Sequence, residues 1–287
     1  MLHITNGDLA AAVICSLGSG EVLPWRDVLH EGPVRAGLSL EELSIERAAF
    51  IAKAGWGQLD AVRASFAGRD ARLQACGGED EVLLWFEHDL YDQLQLIQVL
   101  DWFAAHPVAR LSLVCEPEYL GQMEEERAAR LLEQRKPVTP RQLDVAEAAW
   151  LAFRSPHPAP LAEVLGQDTS PLPFLRAALT RHLQEFPWTT DGLSRTERAI
   201  LDALRDGPQK FAAIFQRTRE EPAFMGDAVL RWHLARLEVE GRVRQRDGAW
   251  QLGKRADRRL ERWLGGVLVQ PSSPWRWDDA AQTLFRS

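Results

Sequence analysis

The chain has 287 residues, of which 46% are hydrophobic and 26% are charged, as in ordinary globular proteins. No apolar run approaches the roughly 20 residues that a membrane-spanning helix needs, and the chain starts without the pattern of a secretory signal. The three cysteines, Cys15, Cys76 and Cys115, show no CxxC spacing, which argues against a disulfide framework or a cysteine zinc site. We therefore expect a cytoplasmic protein without a membrane partner.

The net charge of −7 is unevenly distributed along the chain. Residues 191–287 carry 18 Lys and Arg against 14 Asp and Glu, whereas residues 1–190 carry 16 against 27. An acidic front and a mildly basic back suggest units with different partners, although ordinary drift in composition between domains would look the same. The length also favours more than one domain.

Strand and helix patterns alternate in the first part of the chain. Strand-like apolar runs cover residues 2–5, 21–25, 82–86 and 110–115, and helical patterns cover residues 8–17, 39–54, 59–74 and 90–105. This alternation predicts an α/β domain in residues 1–122, with an open, mostly parallel, Rossmann-like sheet and helices on both faces.

The rest of the chain is predicted to contain a helical segment and a winged-helix-like domain. Residues 123–190 show helix patterns at 124–134, 140–153 and 172–185. From residue 191, three short helices precede a hairpin with a tight turn at Asp247 and Gly248, so residues 191–287 resemble a winged helix-turn-helix. The alternation of Trp275 and Trp277 predicts a terminal strand that packs on a neighbouring domain.

The first polar cluster, Asn6, Gly7 and Asp8, directly follows the first strand. Ligands of open α/β sheets bind beyond the carboxyl ends of the strands. We therefore predict that Asp8 is catalytic and that Asn6 and Gly7 bind substrate. A carboxylate here would repel a phosphate and suits a hydroxyl, an amine or a metal better. The alternative is that Asp8 only caps the following helix.

The second cluster lies in a loop bounded by prolines and contains Arg26, Asp27, His30 and Glu31. A guanidinium suits an anionic group, and histidine titrates near neutral pH. We predict that His30 is catalytic and that Arg26 and Asp27 bind substrate. The alternative is a surface pair between Arg26 and Asp27 beside a solvated histidine.

The third cluster contains Glu87, His88, Asp89, Asp92 and Gln93. It begins at the end of a wholly apolar strand, where burial of charged groups is costly. We predict that Glu87 and His88 are catalytic and that Asp89 binds substrate. Asp89 and Asp92 also have the spacing of a helix cap, which explains both without a function. Glu116, Glu118 and Tyr119 follow the next strand and either line the same crevice or are solvated. His3, inside the first strand, is predicted to be a core histidine.

Two chemistries fit these clusters. In the first, His88 or His30 moves a proton, a carboxylate of Asp8 or Glu87 orients it, and Arg26 holds an anionic part of the substrate. In the second, the two histidines and carboxylates from Asp8, Asp27 or Glu87 bind a metal. Because no HExxH-type spacing supports the second, we predict no metal ligand and leave the cofactor unknown.

Three unusual runs carry a family resemblance: LHITNGD at residues 2–8, WRDVLHEGP at 25–33 and LWFEHDLYDQ at 84–93. The chain resembles the bacterial family called domain of unknown function 1835 over roughly its first 120 residues. The resemblance implies an intracellular bacterial protein whose relatives also carry a helical middle and a similar tail. It implies no activity, and the site residues above are not taken from it.

The leading hypothesis is an enzyme that hydrolyses or transfers a group on a small polar or anionic substrate at the strand-end crevice. The alternative is a regulator whose front domain senses a ligand and whose winged helix binds DNA. The third helix of this winged helix carries Trp232 and His233, so it is poorly suited to recognise DNA bases. A third possibility is a protein-interaction module without catalysis.

If the protein is a regulator, the arginines of the tail would bind nucleic acid. These are Arg231, Arg236, Arg242, Arg244 and Arg246, with Arg255, Arg258, Arg259 and Arg262 on a following helix.

Overall fold

The computed structural model describes residues 1–218, 226–253 and 259–286. Its helices are α1 (Asp8–Ser16), α2 (Leu40–Lys53), α3 (Leu59–Gln74), α4 (Leu90–Ala105), α5 (Glu125–Gln134), α6 (Pro140–Phe153), α7 (Ala159–Gly166), α8 (Leu175–Leu183), α9 (Arg195–Ala203), α10 (Phe211–Thr218) and α11 (Asp227–Val239). Its strands are β1 (Leu2–Thr5), β2 (Glu21–Pro24), β3 (Gly32–Pro33), β4 (Val82–Glu87), β5 (Leu111–Glu116), β6 (Lys136–Pro137), β7 (Val243–Arg246), β8 (Ala249–Leu252), β9 (Arg262–Gly265), β10 (Val267–Val269), β11 (Trp275–Asp278) and β12 (Thr283–Arg286). None of the helices in these ranges is both long and apolar enough to cross a bilayer.

The main sheet has five strands in the order β2-β1-β4-β5-β6. All neighbours are parallel except β6, which runs antiparallel to β5. Because side chains alternate along a strand, Leu83 and Trp85 of β4 pack with α1 and α5, whereas Leu84 and Phe86 pack with α4, α6 and α8. The prediction of a mostly parallel α/β sheet with helices on both faces is confirmed.

The short strand β3 was not predicted, since two residues carry no periodicity. Gly32 and Pro33 pair in parallel with Leu264 and Gly265 of β9, more than 200 residues later. Gly32 has φ +83°, and a Cβ at this position would lie 2.4 Å from the Phe50 ring. Only glycine fits both the backbone conformation and the close contact. The loop after β2 is thereby attached to the end of the chain.

Helix α8 begins at Leu175 rather than at the predicted residue 172. Before the helix, the Asp168 side chain accepts a hydrogen bond from the Ser170 amide at 3.0 Å, which forms a local turn. Pro173, which has no N–H to donate, follows before the helix begins.

Helices α9, α10 and α11 and the β7–β8 hairpin follow in the predicted order. Asp247 and Gly248 have φ +50° and +74°, as expected for the tight hairpin turn. Residues 200–250 form an apolar core of their own, whereas Leu264 and Trp277 belong to the main core. The predicted domain 191–287 is thus divided between two cores, and its description as a winged helix stays a prediction.

The predicted arginine-bearing helix after the hairpin is wrong for Arg262, which lies in strand β9. Strand β9 pairs with β10 on one side and with β3 on the other. Arg255 and Arg258 lie outside the described residues. The expected terminal strand is β11: the Trp277 amide donates to the Pro187 carbonyl at 2.9 Å, and its side chain is fully buried.

Candidate functional site

A cavity of about 270 Å³ lies beyond the carboxyl ends of β1 and β4. Strand β1 continues into α1 on one face of the sheet and β4 continues into α4 on the other, so the cavity sits at the point where the topology changes direction. Residues that follow β5 close its third side. The polar residues of its wall are Asn6, Asp8, Glu87, Asp89, Tyr91, Asp92, Tyr119 and Gln122.

Asp92 is the most deeply buried acid of this wall, with no solvent exposure. The Asn6 side-chain amide donates to both of its oxygens, at 3.0 and 2.8 Å, and the Glu87 amide donates to one of them at 2.7 Å. Burial raises the pKa of Asp92 well above its usual value, and the nearby charges of Asp89 and Glu87 raise it further. Asp92 therefore holds a proton at pH values where an ordinary aspartate is ionised.

Glu87 ends strand β4 and is also buried. The Leu120 amide donates to its side chain at 2.7 Å. Burial raises the pKa of Glu87, although hydrogen bonds from the Leu120 amide and from Asn6 act in the opposite direction. Glu87 and Asp92 therefore form a buried carboxyl pair joined through Asn6 and the backbone.

Asp89 caps helix α4 by accepting a hydrogen bond from the Asp92 amide at 3.0 Å. The capping role expected of it is confirmed, and its side chain lines the cavity as well. Oxygens of Glu87, Asp89 and Asp92 lie within 4.8 Å of one another. A cation could bind between these three carboxyl groups, a different set from the histidine-based one considered from the sequence.

Asp8 does not cap helix α1, because Gly7 is the N-cap residue and no side-chain cap bond forms there. The exposed Asp8 carboxylate instead accepts a hydrogen bond from Arg26 Nε at 2.8 Å and lies 2.6 Å from Nη2. Arg26 has a left-handed backbone with φ +57°, and its amide donates to the Asn6 carbonyl at 3.1 Å. Because Asp8 lines the cavity, this ion pair places the Arg26 guanidinium at the cavity rim.

Asp27 points away from this rim and pairs with Arg47 of α2, whose Nε and Nη2 lie 3.0 and 2.9 Å from one carboxylate oxygen. Both side chains are fully buried. Arg47 also donates to backbone carbonyls of Val28 and Glu31. This buried pair fixes the loop between β2 and β3, and the surface pair of Arg26 with Asp27 does not form.

His30 is buried and is not among the described residues that line the cavity. Its ring packs edge-on against Tyr91 at 6.2 Å. Within the described ranges neither ring nitrogen has a hydrogen-bond partner. Burial lowers the pKa of His30 to about 4, so the ring is neutral at pH 7, unlike the solvated histidine that the sequence allowed.

Glu31 belongs to a buried ion network that joins distant parts of the chain. Its carboxylate binds His233 Nε2 at 2.9 Å and both Nε and Nη2 of Arg262. Arg262 Nη1 donates to Glu185 at 2.7 Å, and Thr196 donates to the same glutamate. Arg262 and His233 lower the pKa of Glu31 to about 2 despite its burial. The network is structural: it connects the front domain, the helical segment and the tail.

His88 follows Glu87 but contacts the rings of Tyr119 at 5.4 Å and Phe174 at 6.0 Å. Tyr119 lines the cavity, whereas His88 is not among its described lining residues. His3 is a core residue, as predicted: Trp85 Nε1 donates to its Nδ1 at 3.0 Å.

The structure therefore brings five of the predicted residues together at the cavity, with Arg26 at the rim, and leaves Asp27, His30 and His88 outside the described lining. The five are Asn6, Gly7, Asp8, Glu87 and Asp89. Asp92 and Tyr91 also line the cavity. The sequence explained Asp92 by the helix cap and gave Tyr91 no role, although both lie in the run after β4 that it singled out.

Comparison of the chain with family models, with curated proteins and with solved structures gave no match. The resemblance to domain of unknown function 1835 accordingly stays a prediction.

Proposed function

We propose that the cavity at the ends of β1 and β4 is the active site of an enzyme that hydrolyses, or transfers a group on, a small polar substrate. The observation that carries this proposal is the buried carboxyl pair of Glu87 and Asp92 in the cavity wall. Buried carboxyl groups with raised pKa values occur where proton transfer is catalysed. A structural ion pair would instead place such a group beside a cation, as Asp27 lies beside Arg47.

The pair provides a proton donor and a proton acceptor from two similar groups. Asp92, with the more strongly raised pKa, is the donor, and Glu87 is the acceptor. Asn6 holds the Asp92 carboxyl in place through both of its oxygens. A substrate in the cavity takes the proton of Asp92 on its leaving group, while Glu87 accepts one from the attacking water or hydroxyl.

The charge of the cavity selects the substrate. Four carboxyl groups line it, and the guanidinium at its rim is already paired with Asp8. An anionic group would be repelled, so the substrate is uncharged or cationic. Of the polar and anionic substrates expected from the sequence, we retain only the polar ones.

Asp92→Asn should lower turnover at least 100-fold, because the amide cannot donate an acidic proton. The measurement is product release, followed by mass spectrometry, with a panel of neutral sugars, nucleosides, amines and amides. The matched control is Asp101→Asn, which changes a half-buried acid of the same helix, outside the described cavity wall, whose pKa burial raises to about 6. Full turnover by the Asp92 variant, or an equal loss in the control, would contradict the proposal.

The alternative, a DNA-binding regulator, has less support from the arrangement of helix α11. Trp232 packs against Phe50 and Trp56 of the front domain, and His233 binds Glu31. One face of the third helix is therefore covered by protein. A recognition helix needs its exposed face for the major groove.

We expect duplex DNA to bind no tighter than about 10⁻⁶ M at physiological salt, which is the non-specific range. Fluorescence anisotropy with labelled genomic fragments measures this affinity. Nanomolar, sequence-dependent binding would favour the regulator. Several arginines of the tail already have carboxylate partners nearby: Arg231 has Asp227 at 3.8 Å, Arg242 has Glu240 at 3.0 Å and Arg246 has Asp247 at 3.4 Å.

A further inference from the structure

A second cavity adjoins the first on the side of α2 and α3. Its volume is about 410 Å³, and it shares Gly7, Asp8 and Tyr91 with the first. We call the first the acidic chamber and the second the apolar chamber. The three shared residues form the border between the chambers.

The apolar chamber differs in chemistry from its neighbour. Its wall contains Trp56 and Phe66 together with the aliphatic side chains of Ile51 and Val62. Apart from the Arg26–Asp8 pair at the border, none of its described lining residues is charged. Besides the Tyr91 hydroxyl at the border, its wall carries the amide of Gln58 and the hydroxyl of Ser65. Such a wall suits a flat, uncharged group with polar edges.

The border between the chambers is held in place by several contacts. The Tyr91 hydroxyl donates to the Asn6 carbonyl at 3.2 Å, and the Arg26 guanidinium is fixed on Asp8. Arg26 has a left-handed backbone with φ +57°, a strained conformation in a non-glycine residue. Gly7 adds no side chain to the border, and the ion pair of Arg26 with Asp8 leaves the border without net charge.

We propose that the two chambers bind one two-part molecule, a nucleoside without phosphate, with its sugar in the acidic chamber and its base in the apolar chamber. Carboxylates are suited to accept hydrogen bonds from ribose hydroxyls. The aromatic wall accepts the base, and Gln58 and Ser65 bond to its edge. A phosphate on the sugar would enter the field of the Glu87 and Asp89 carboxylates and is excluded. This assignment rests on the proposed function, since the sugar lies at the proposed reacting groups.

The test is calorimetric titration of the full chain with the four common nucleosides, with their 5′-monophosphates and with D-ribose. We expect at least one nucleoside to bind, ribose to bind more weakly, and the monophosphate of that nucleoside to bind at least 10-fold more weakly than the nucleoside itself. Failure of all four nucleosides to bind, or equal affinity for a bound nucleoside and its own monophosphate, would overturn the assignment.

Ala61→Trp isolates the apolar chamber, because Ala61 is an exposed residue of α3 in its wall. The indole should occupy the chamber and lower nucleoside affinity at least 10-fold while leaving ribose affinity unchanged. The control is Ala67→Trp, an equally exposed position of the same helix outside the described wall. Unchanged nucleoside affinity in the Ala61 variant would overturn the two-chamber assignment but not the proposed function, which fails separately if Asp92→Asn keeps its turnover.

Discussion

Replacing Arg262 with methionine should lower the free energy of unfolding by about 3–5 kcal/mol, the usual cost of removing one partner from a buried ion network. Arg262 is buried between Glu31 and Glu185, and both carboxylates are themselves buried. Methionine fills similar space but leaves two negative charges without their common cation. The loss of unfolding free energy therefore reports the missing ion pairs with Arg262 rather than a cavity.

Urea unfolding followed by circular dichroism measures this loss. The matched control is Arg205→Met, because Arg205 forms an exposed pair with Asp202, and such pairs contribute at most about 1 kcal/mol. Adding Glu31→Gln to the Arg262 variant should restore part of the stability, because Glu31 then keeps only His233 as a partner, whereas Glu185 still pairs with Arg181. A loss below 1 kcal/mol for Arg262→Met would show that the network is not buried in solution.

The front sheet could be predicted because its signals are local. The unbroken apolar run of β4 indicates a strand buried on both faces, and α4 follows it with helical spacing. The position of Asn6, Asp8, Glu87 and Asp89 follows from the same reading, since parallel strands place their carboxyl ends at one edge of the sheet. These four residues line one cavity in the structure.

The loop cluster could not be placed in this way, because no periodicity indicates where a loop side chain points. Asp27 is directed by Arg47 of α2, and Glu31 is directed by Arg262, 231 residues later. Asp92 illustrates a different difficulty, because a helix cap already explained its spacing from Asp89 and no further role was needed. The chemistry of Asp92 depends on Asn6, which reaches it from the end of β1. Long-range contacts decide these cases, and single-sequence patterns do not contain them.

His30→Leu should make the protein less sensitive to acid. Burial lowers the pKa of His30 from 6.5 to about 4, so between these pH values the unfolded chain binds a proton at this residue and the folded chain does not. The titration of His30 therefore does not affect stability above pH 6.5, and it lowers stability as the pH falls from 6.5 towards 4, by about 1.4 kcal/mol per pH unit. Leucine fills a similar volume and carries no proton in either state.

The histidine contribution has to be measured as a difference between proteins, because Asp92 and Glu87 have raised pKa values and act in the opposite direction over part of the same range. Glu31, with a pKa of about 2, titrates at lower pH and does not interfere between pH 7 and 5. Over that range, urea unfolding should show the wild type losing stability relative to His30→Leu, most steeply below pH 6.5. His106→Leu, at an exposed position, should give no such divergence. Parallel pH profiles for wild type and His30→Leu would mean that water reaches the His30 ring, and the loop between β2 and β3 would then be open in solution.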